Sequence, residues 1–399
     1  MPSNHSLKSG LRLMAATTAL VVVFAGSAYA VDGNAVAARL KSAYGEQGNT
    51  LEYSNVETNG STVIIKDTKV TSAGMKKSVS IGDVTLNDVS DASDGGFKIG
   101  SLGVPDVNFS PEGEADSKIV VEGIKLEGIT LPAEGVTDPL AKLMQCEKGG
   151  LKHLNINAKG KDVFTAENLS FTVSPLTASA PVVFTSNLES FKADLSGVED
   201  PKTKDALKAL GYETVSGKID FNGSWNIPDG RFNIDKFDFI ADQVGTLGLK
   251  FDISGYTLDF LNGLKDAVKK GEGKTDEAQG MAMLGLMQQL SFTGASIRFD
   301  DGSVTNKALD YAAKQQGMKR DDLVNQGKAI LPMMAAQLGN AEFAQALGTA
   351  VSAYLDDPKN IEIKAAPGKS VPFAIIAAGG MADPKSLIKT LGVTVNANQ

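Results

Sequence analysis

Cysteine and histidine are almost missing from this chain. Cys146 is the single cysteine, and of two histidines only His153 lies beyond residue 30. No intramolecular disulfide can form, so stability has to come from a buried core. One Cys and one His are too few for a His- or Cys-based zinc site. A Ser-His-Asp arrangement would have to run through His153, and no Gly-x-Ser-x-Gly elbow accompanies it. Aromatic residues make up only 6%, with one tryptophan. Beyond residue 30 no apolar run approaches the ~20 residues of a membrane-spanning helix. A basic excess is also missing: 39 Lys and Arg face 47 Asp and Glu, a formal charge of −8. That balance argues against a nucleic-acid partner and against adhesion of the whole surface to anionic lipid.

Two apparent motifs fail on spacing. Gly273-Lys274-Thr275 imitates the end of a phosphate loop, but the position that needs glycine is Val268. Asp88, Asp91 and Asp94 recur at every third residue, whereas a calcium loop takes its ligands at alternate positions. Neither a metal nor a cofactor is expected. Cys146 reads as a small hydrophobe, with a reactive thiol as the other reading. His153 reads as a rim residue at a strand start.

What the chain does have begins with an address. Lys8 and Arg12 form a basic region, Leu13 to Gly26 an apolar one, and Ala28-Tyr29-Ala30 a small-residue cleavage site. This is the pattern of a secretory signal peptide cut after Ala30, and it implies a periplasmic location. Loss of Lys8 and Arg12 would take the mature charge to −10.

From about 50 to 255 apolar residues alternate with polar ones. Val63 and Ile65, Val84 and Leu86, Leu154 and Ile156, and Leu169, Phe171 and Val173 each keep a period of two. That is the pattern of antiparallel strands with one dry and one wet face. Phe237 and Phe239 run one residue out of phase with Phe232 and Ile234, which predicts a bulge near Asp235-Lys236. A short helix is expected over 34–44. Asp138-Pro139 and Asp200-Pro201 each read as a cap followed by a first-turn proline, predicting helices over 139–147 and 201–210. After 256 the period becomes 3.6, predicting helices over 257–270, 276–290, 304–316, 320–338 and 341–356. Strands are expected over 292–300 and 360–365, and a last helix and strand after Asp383-Pro384. The run Val371–Ala378 reads as a buried helix, or else as a shallow membrane or partner contact. The best linker candidate is 271–277.

The fold class is therefore α+β, a curved, meander-rich antiparallel sheet with helices concentrated in the C-terminal third. Three regions are expected: the leader 1–30, a β-rich domain 31–255, and a mainly helical region 256–399 packed on the sheet. A transmembrane barrel is the other architecture; interrupting helices and sparse aromatics count against it.

The stretches Val121-Glu122-Gly123-Ile124-Lys125-Leu126-Glu127-Gly128-Ile129 and Val215–Trp225 are short strands punctuated by glycine. In this texture, over about half of the chain, the sequence resembles the AsmA-like and YdgA-like β-rich envelope proteins of Gram-negative bacteria. The resemblance implies an elongated curved sheet with an apolar concave face and a role in lipid and envelope maintenance.

The leading functional reading is a non-catalytic exported protein that binds an apolar or lipid ligand or supports an envelope assembly. Its partner would be a lipid or an envelope protein. The candidate contacts are Phe221, Trp225, Ile227, Phe232 and Phe251 on one meander, with Met283, Met287 and Met334 as adaptable groups on two helices. A carboxylate-dependent hydrolase of cell-wall or glycan material and a protein-interaction scaffold are the alternatives. The leader yields the first prediction: N-terminal sequencing of the exported protein reads Val31. An intact Met1 on membrane-bound protein would show an anchor instead.

Overall fold

The computed structural model describes residues 31–46, 48–72, 77–111, 114, 116–138, 140–177, 179–271 and 276–399. The expected leader and residues 272–275 of the expected linker lie outside them. Helix α1 (Gly33–Gly45) comes first. The Asp32 carboxylate caps it, accepting from the backbone N–H groups of Asn34 at 3.0 Å and Ala35 at 3.2 Å. Val36, Ala37, Leu40 and Ala43 form its buried stripe.

One antiparallel sheet of 18 strands follows, and it is not closed. Strands β1 (Thr50–Glu52) and β2 (Asn55–Asn59) lie end to end along β3 (Thr62–Thr71). Next comes β4 (Val79–Asp91), paired to β5 (Phe97–Gly103). The short β6 (Val107–Phe109) pairs with β7 (Ser117–Glu122), while β5 pairs with β8 (Lys125–Leu131). Residues 97–109 and 117–131 are thus two long strands, each broken once. Both β7 and β8 pair with the long β9 (Gln145–Ala158). From there each strand pairs with the next: β10 (Lys161–Val173), β11 (Val182–Asp194), β12 (Thr214–Asn226), β13 (Arg231–Ala241), β14 (Gly245–Ser254) and β15 (Ser291–Asp301). Strand β15 pairs with both β16 (Asn360–Ala365) and β17 (Val371–Pro372), and β16 with the final β18 (Val393–Ala397).

Helices interrupt this meander. Helix α2 (Pro201–Leu210) separates β11 from β12. As expected, Asp200 caps it, Pro201 opens it, and Gly211 closes it with a left-handed φ of 76°. Helices α3 (Leu258–Gly271) and α4 (Asp276–Met287) separate β14 from β15. Helices α5 (Val304–Gln316), α6 (Arg320–Ala336) and α7 (Ala341–Asp356) follow β15, and α7 packs along β18. Helices α8 (Phe373–Ala382) and α9 (Ser386–Thr390) join β17 to β18.

The best-sealed core lies under α1. Val63, Ile65, Val84, Leu86, Ile99, Ile129 and Leu131 meet Val36, Ala37 and Leu40 there. Arg39 ties the helix to the sheet, its Nε donating to the Pro132 carbonyl at 2.5 Å.

Two expectations fail. Residues 140–147, the described part of the first expected helix, are not helical. The Asp138 carboxylate accepts from the N–H groups of Leu140 and Ala141, giving one capped turn. The chain then enters β9, where Cys146 opposes Ile129. Cross-strand pairing outcompetes the capping signal because Cys146 packs against the first core from β9, with Met144 just before the strand. The second failure is burial. Residues 373–382 do form a helix, α8, but none of its residues is buried.

The sheet runs through Gly255 without a break, since β14 pairs with β15 along ten residue positions from Gly245↔Asp301 to Ser254↔Ser291. Cutting there leaves the outer edge of β14 unpaired. A 31–255 fragment is expected to aggregate. Size-exclusion chromatography with thermal melting tests this; a soluble fragment that unfolds cooperatively would show two independent units.

Candidate functional site

The register places apolar side chains in rows that cross the sheet. Phe171, Ser186, Phe221, Phe237, Leu249, Ile297 and Ile363 are successive partners from β10 to β16. Two residues along each strand lies a second row, Leu169, Leu188, Ile219, Phe239, Leu247, Phe299 and Ile361. A third row, on the other side of the first, runs Val173, Phe184, Gly223, Ile234, Phe251, Ala295 and Ala365. Side chains two apart share a face of a strand, so the three rows form one apolar surface.

Keeping the rows in phase takes bulges. The β12–β13 register shifts at Asn222/Gly223, and the β13–β14 register shifts between Ile234 and Phe237. Asp235 and Lys236 are the bulged pair, where the phase change in the sequence places it. Without the shift Ile234 would point to the wet side. Gly223 serves the same surface. A Cβ there would come within 2.4 Å of the Phe184 ring, so only glycine leaves space for that ring.

This surface is incompletely covered. Phe239 and Leu247 are each 37% exposed, Ile363 49% and Ile297 54%. Their four strands, β13 to β16, are adjacent, so the exposure is one patch. Leaving such side chains wet forgoes roughly 1 kcal/mol each, about half the value of full burial. Aromatic rings lead out of the patch in a chain. Phe237, Phe221, Phe184, Phe232, Tyr256 and Phe260 follow one another at centroid spacings of 6.2, 5.6, 5.7, 5.5 and 5.5 Å. A second chain joins Phe164, Phe191 and Phe239 at 6.4 and 5.2 Å.

Of the residues singled out in the sequence, Phe221, Phe232 and Phe251 lie on this face. Trp225 stands at its end, donating from Nε1 to the Tyr256 carbonyl at 2.7 Å and meeting the Tyr256 ring edge-on at 6.0 Å. Ile227 is buried just beyond. Met283 and Met287 lie on α4, which packs on α3 and α8, and Met283 is exposed. Met334 is exposed on α6, which packs on α5 and α7, so it does not join the meander. Sequence reasoning passed over Phe184, Leu247, Ile297 and Ile363. The signal for them is the alternation Ile297/Phe299 and Ile361/Ile363, once those segments are known to continue the same sheet. A separate crevice of about 830 Å³ opens between α6 and α7, lined by small residues such as Ala335, Ala344 and Gly348. It is not on the apolar face.

The opposite face is charged and internally paired. Lys236 bridges Asp220 at 3.1 Å and Asp238 at 3.5 Å, and Arg231 meets Asp252 at 2.7 Å. Glu127 lies between Lys125 and Lys148, each at 2.5 Å. Hydrogen bonds from these two ammonium groups hold its carboxyl down at about 2, from an ordinary 4.5. Asp194, beside Lys161, is likewise displaced downward, as is Asp220 beside Lys236. His153 Nδ1 and the Glu167 carboxylate are 2.6 Å apart on this side. Burial pushes the Cys146 thiol up, which disfavours the thiolate. Among the described residues no cluster of His, Cys, Asp and Glu could hold a metal.

A depressed carboxyl pKa favours the fold above the unfolded value, and that contribution is lost as pH falls through the folded value. Stability should therefore drop between pH 4.5 and about 2 as Glu127 takes up a proton. In Glu127→Gln the decline over this window should be shallower, read as thermal midpoint against pH. Equal slopes in both proteins would refute the assignment.

A family model described as "Uncharacterized protein" matches residues 238–398, from within β13 through β18. No curated protein matches the chain.

Proposed function

We propose that this protein binds the acyl chains of a lipid, or a similarly apolar ligand, on the open face of its sheet, and that it does so without catalysis in the cell envelope. The supporting observation is the contiguous exposure of Phe239, Leu247, Ile297 and Ile363. Scattered apolar side chains are ordinary on a surface, but a patch continuous over four strands marks a binding surface. The seven strands from β10 to β16 that carry the rows span about 29 Å at the usual strand spacing. That exceeds the ~15 Å depth of one bilayer leaflet's hydrocarbon. Rings and branched chains without a fixed polar partner suit a ligand recognised by shape and apolarity.

The hydrolase alternative needs a carboxyl kept protonated near neutral pH in an apolar cleft. Among the described residues the carboxyl groups displaced from ordinary values, Asp83, Glu127, Asp162, Asp194, Asp200 and Asp220, all move down. They stay ionised, held by ammonium groups or by neutral hydrogen-bond donors.

The test is saturable binding of a fluorescent fatty-acid analogue to the exported protein, followed together with Trp225 emission. Ile297→Asp with Leu247→Asp puts two charges into the patch at positions already exposed, so the fold should survive. Affinity should fall on the order of ten-fold or more, the equivalent of about 1.4 kcal/mol. Absence of saturable binding, or equal binding by the variant, would leave the scaffold reading ahead.

A further inference from the structure

Helix α8 is ten residues long, Phe-Ala-Ile-Ile-Ala-Ala-Gly-Gly-Met-Ala, with no charged side chain and none buried. Ile375 is 52% exposed and Met381 78%. It packs on α4, where Met283 and Leu284 are also exposed. A helix this apolar is expected inside a protein, yet this one stands at the surface.

Its flanks are predominantly basic, three lysines to one aspartate. Lys369 precedes α8, and Lys385 and Lys389 follow it, all exposed. Asp383 is the sole acidic residue between Lys364 and the C-terminus. The chain as a whole carries −8, so this cationic collar runs against the overall balance. Fields from exposed charges fade within about 8–10 Å at ordinary ionic strength. The acidic remainder of the molecule therefore does not cancel the collar at close range; it disfavours contact anywhere else.

We infer that α8, with exposed Lys369, Lys385 and Lys389 on the segments that flank it, docks the protein on an anionic lipid surface. The helix would lie in the interface plane, about 15 Å long, with its apolar side chains at the headgroup boundary and the lysines among the headgroups. The chemistry that recognises this occupant is the pairing of uncharged apolar helix with basic rim. A protein partner would need its own complementary acidic collar, whereas an anionic leaflet supplies one everywhere.

The position is also suited to loading. Strand β17 runs directly into α8, and the Phe373 N–H donates to the Leu290 carbonyl at 3.0 Å, at the strand end where Phe292 and Val371 are paired. The rows of the apolar face end on β16, which pairs with β15 on the same side as β17. Docking by α8 stands by itself; delivery of an acyl chain to the sheet rests on the acyl-binding reading.

Vesicle flotation of the exported protein tests the docking. Vesicles of phosphatidylcholine mixed with phosphatidylglycerol should carry the protein upward, and vesicles of phosphatidylcholine alone much less. Ile375→Glu with Met381→Glu, both at exposed positions, should abolish co-flotation. Lys369→Glu with Lys389→Glu should lower it by on the order of ten-fold on the mixed vesicles only. Ile297→Asp with Leu247→Asp should float like the unmodified protein. The α8 variant should still take up a soluble fatty-acid analogue, which separates failure of docking from failure of ligand binding. Unmodified protein that stays with the bottom fraction, or α8 variants that float undiminished, would overturn the inference.

Discussion

Phase is the constraint on which this molecule depends. Each strand presents its apolar side chains at every second residue, and each must agree in phase with both neighbours. A slip of one residue would turn a strand's apolar set to the charged side. The shifts at Asn222/Gly223 and at Ile234/Phe237 keep Ile234 and Phe251 in line with their neighbours. Glycine at 223 gives the Phe184 ring its place over the same rows. The ion pairs of the opposite face follow from the same phase. Lys236 reaches Asp220 because Phe237 and Phe221 face the other way.

The two ends of this apolar surface differ in how they are closed. At the N-terminal end α1 lies over β3, β4, β5 and β8, and the side chains beneath it are almost wholly dry. Leu126 belongs to that sealed region, and across Gly149 it approaches Phe171 of the open region. One surface therefore passes from a packed core to a wet patch within a few strands. The sealed part is aliphatic and lies under α1, whereas the open part is rich in phenylalanine and less covered.

Much of the fold is legible in the residues themselves. Period-two alternation gives the strands. The Asp200-Pro201…Gly211 punctuation gives α2. The phase change between Ile234 and Phe237 gives the bulge before any pairing is known. Asp138-Pro139 carries the same capping signal as Asp200-Pro201, yet β9 begins at Gln145 because pairing with Ile129 and Thr130 competes with local preference. The exposure of α8 is illegible for a related reason. An apolar run looks alike whether its neighbours enclose it or not. The apolar face is half legible: Phe221, Phe232 and Phe251 stand out by size, whereas Ile297 and Ile363 matter only through the strands beside them.

The order of pairing has a kinetic consequence. Nearly every strand pairs with one close to it in sequence, so the chain closes short loops and seldom long ones. Loop closure becomes costlier with length, and folding slows as contacting residues lie further apart in the chain. A sheet of this size built as a sandwich of distant strands would fold slowly. Here pairing can spread one hairpin at a time, as in a linear array whose units touch only their neighbours. Unfolding is open to the same route in reverse. Helix α1 over the best-sealed core then acts as an end stop, and opening would start among the less covered strands toward β16.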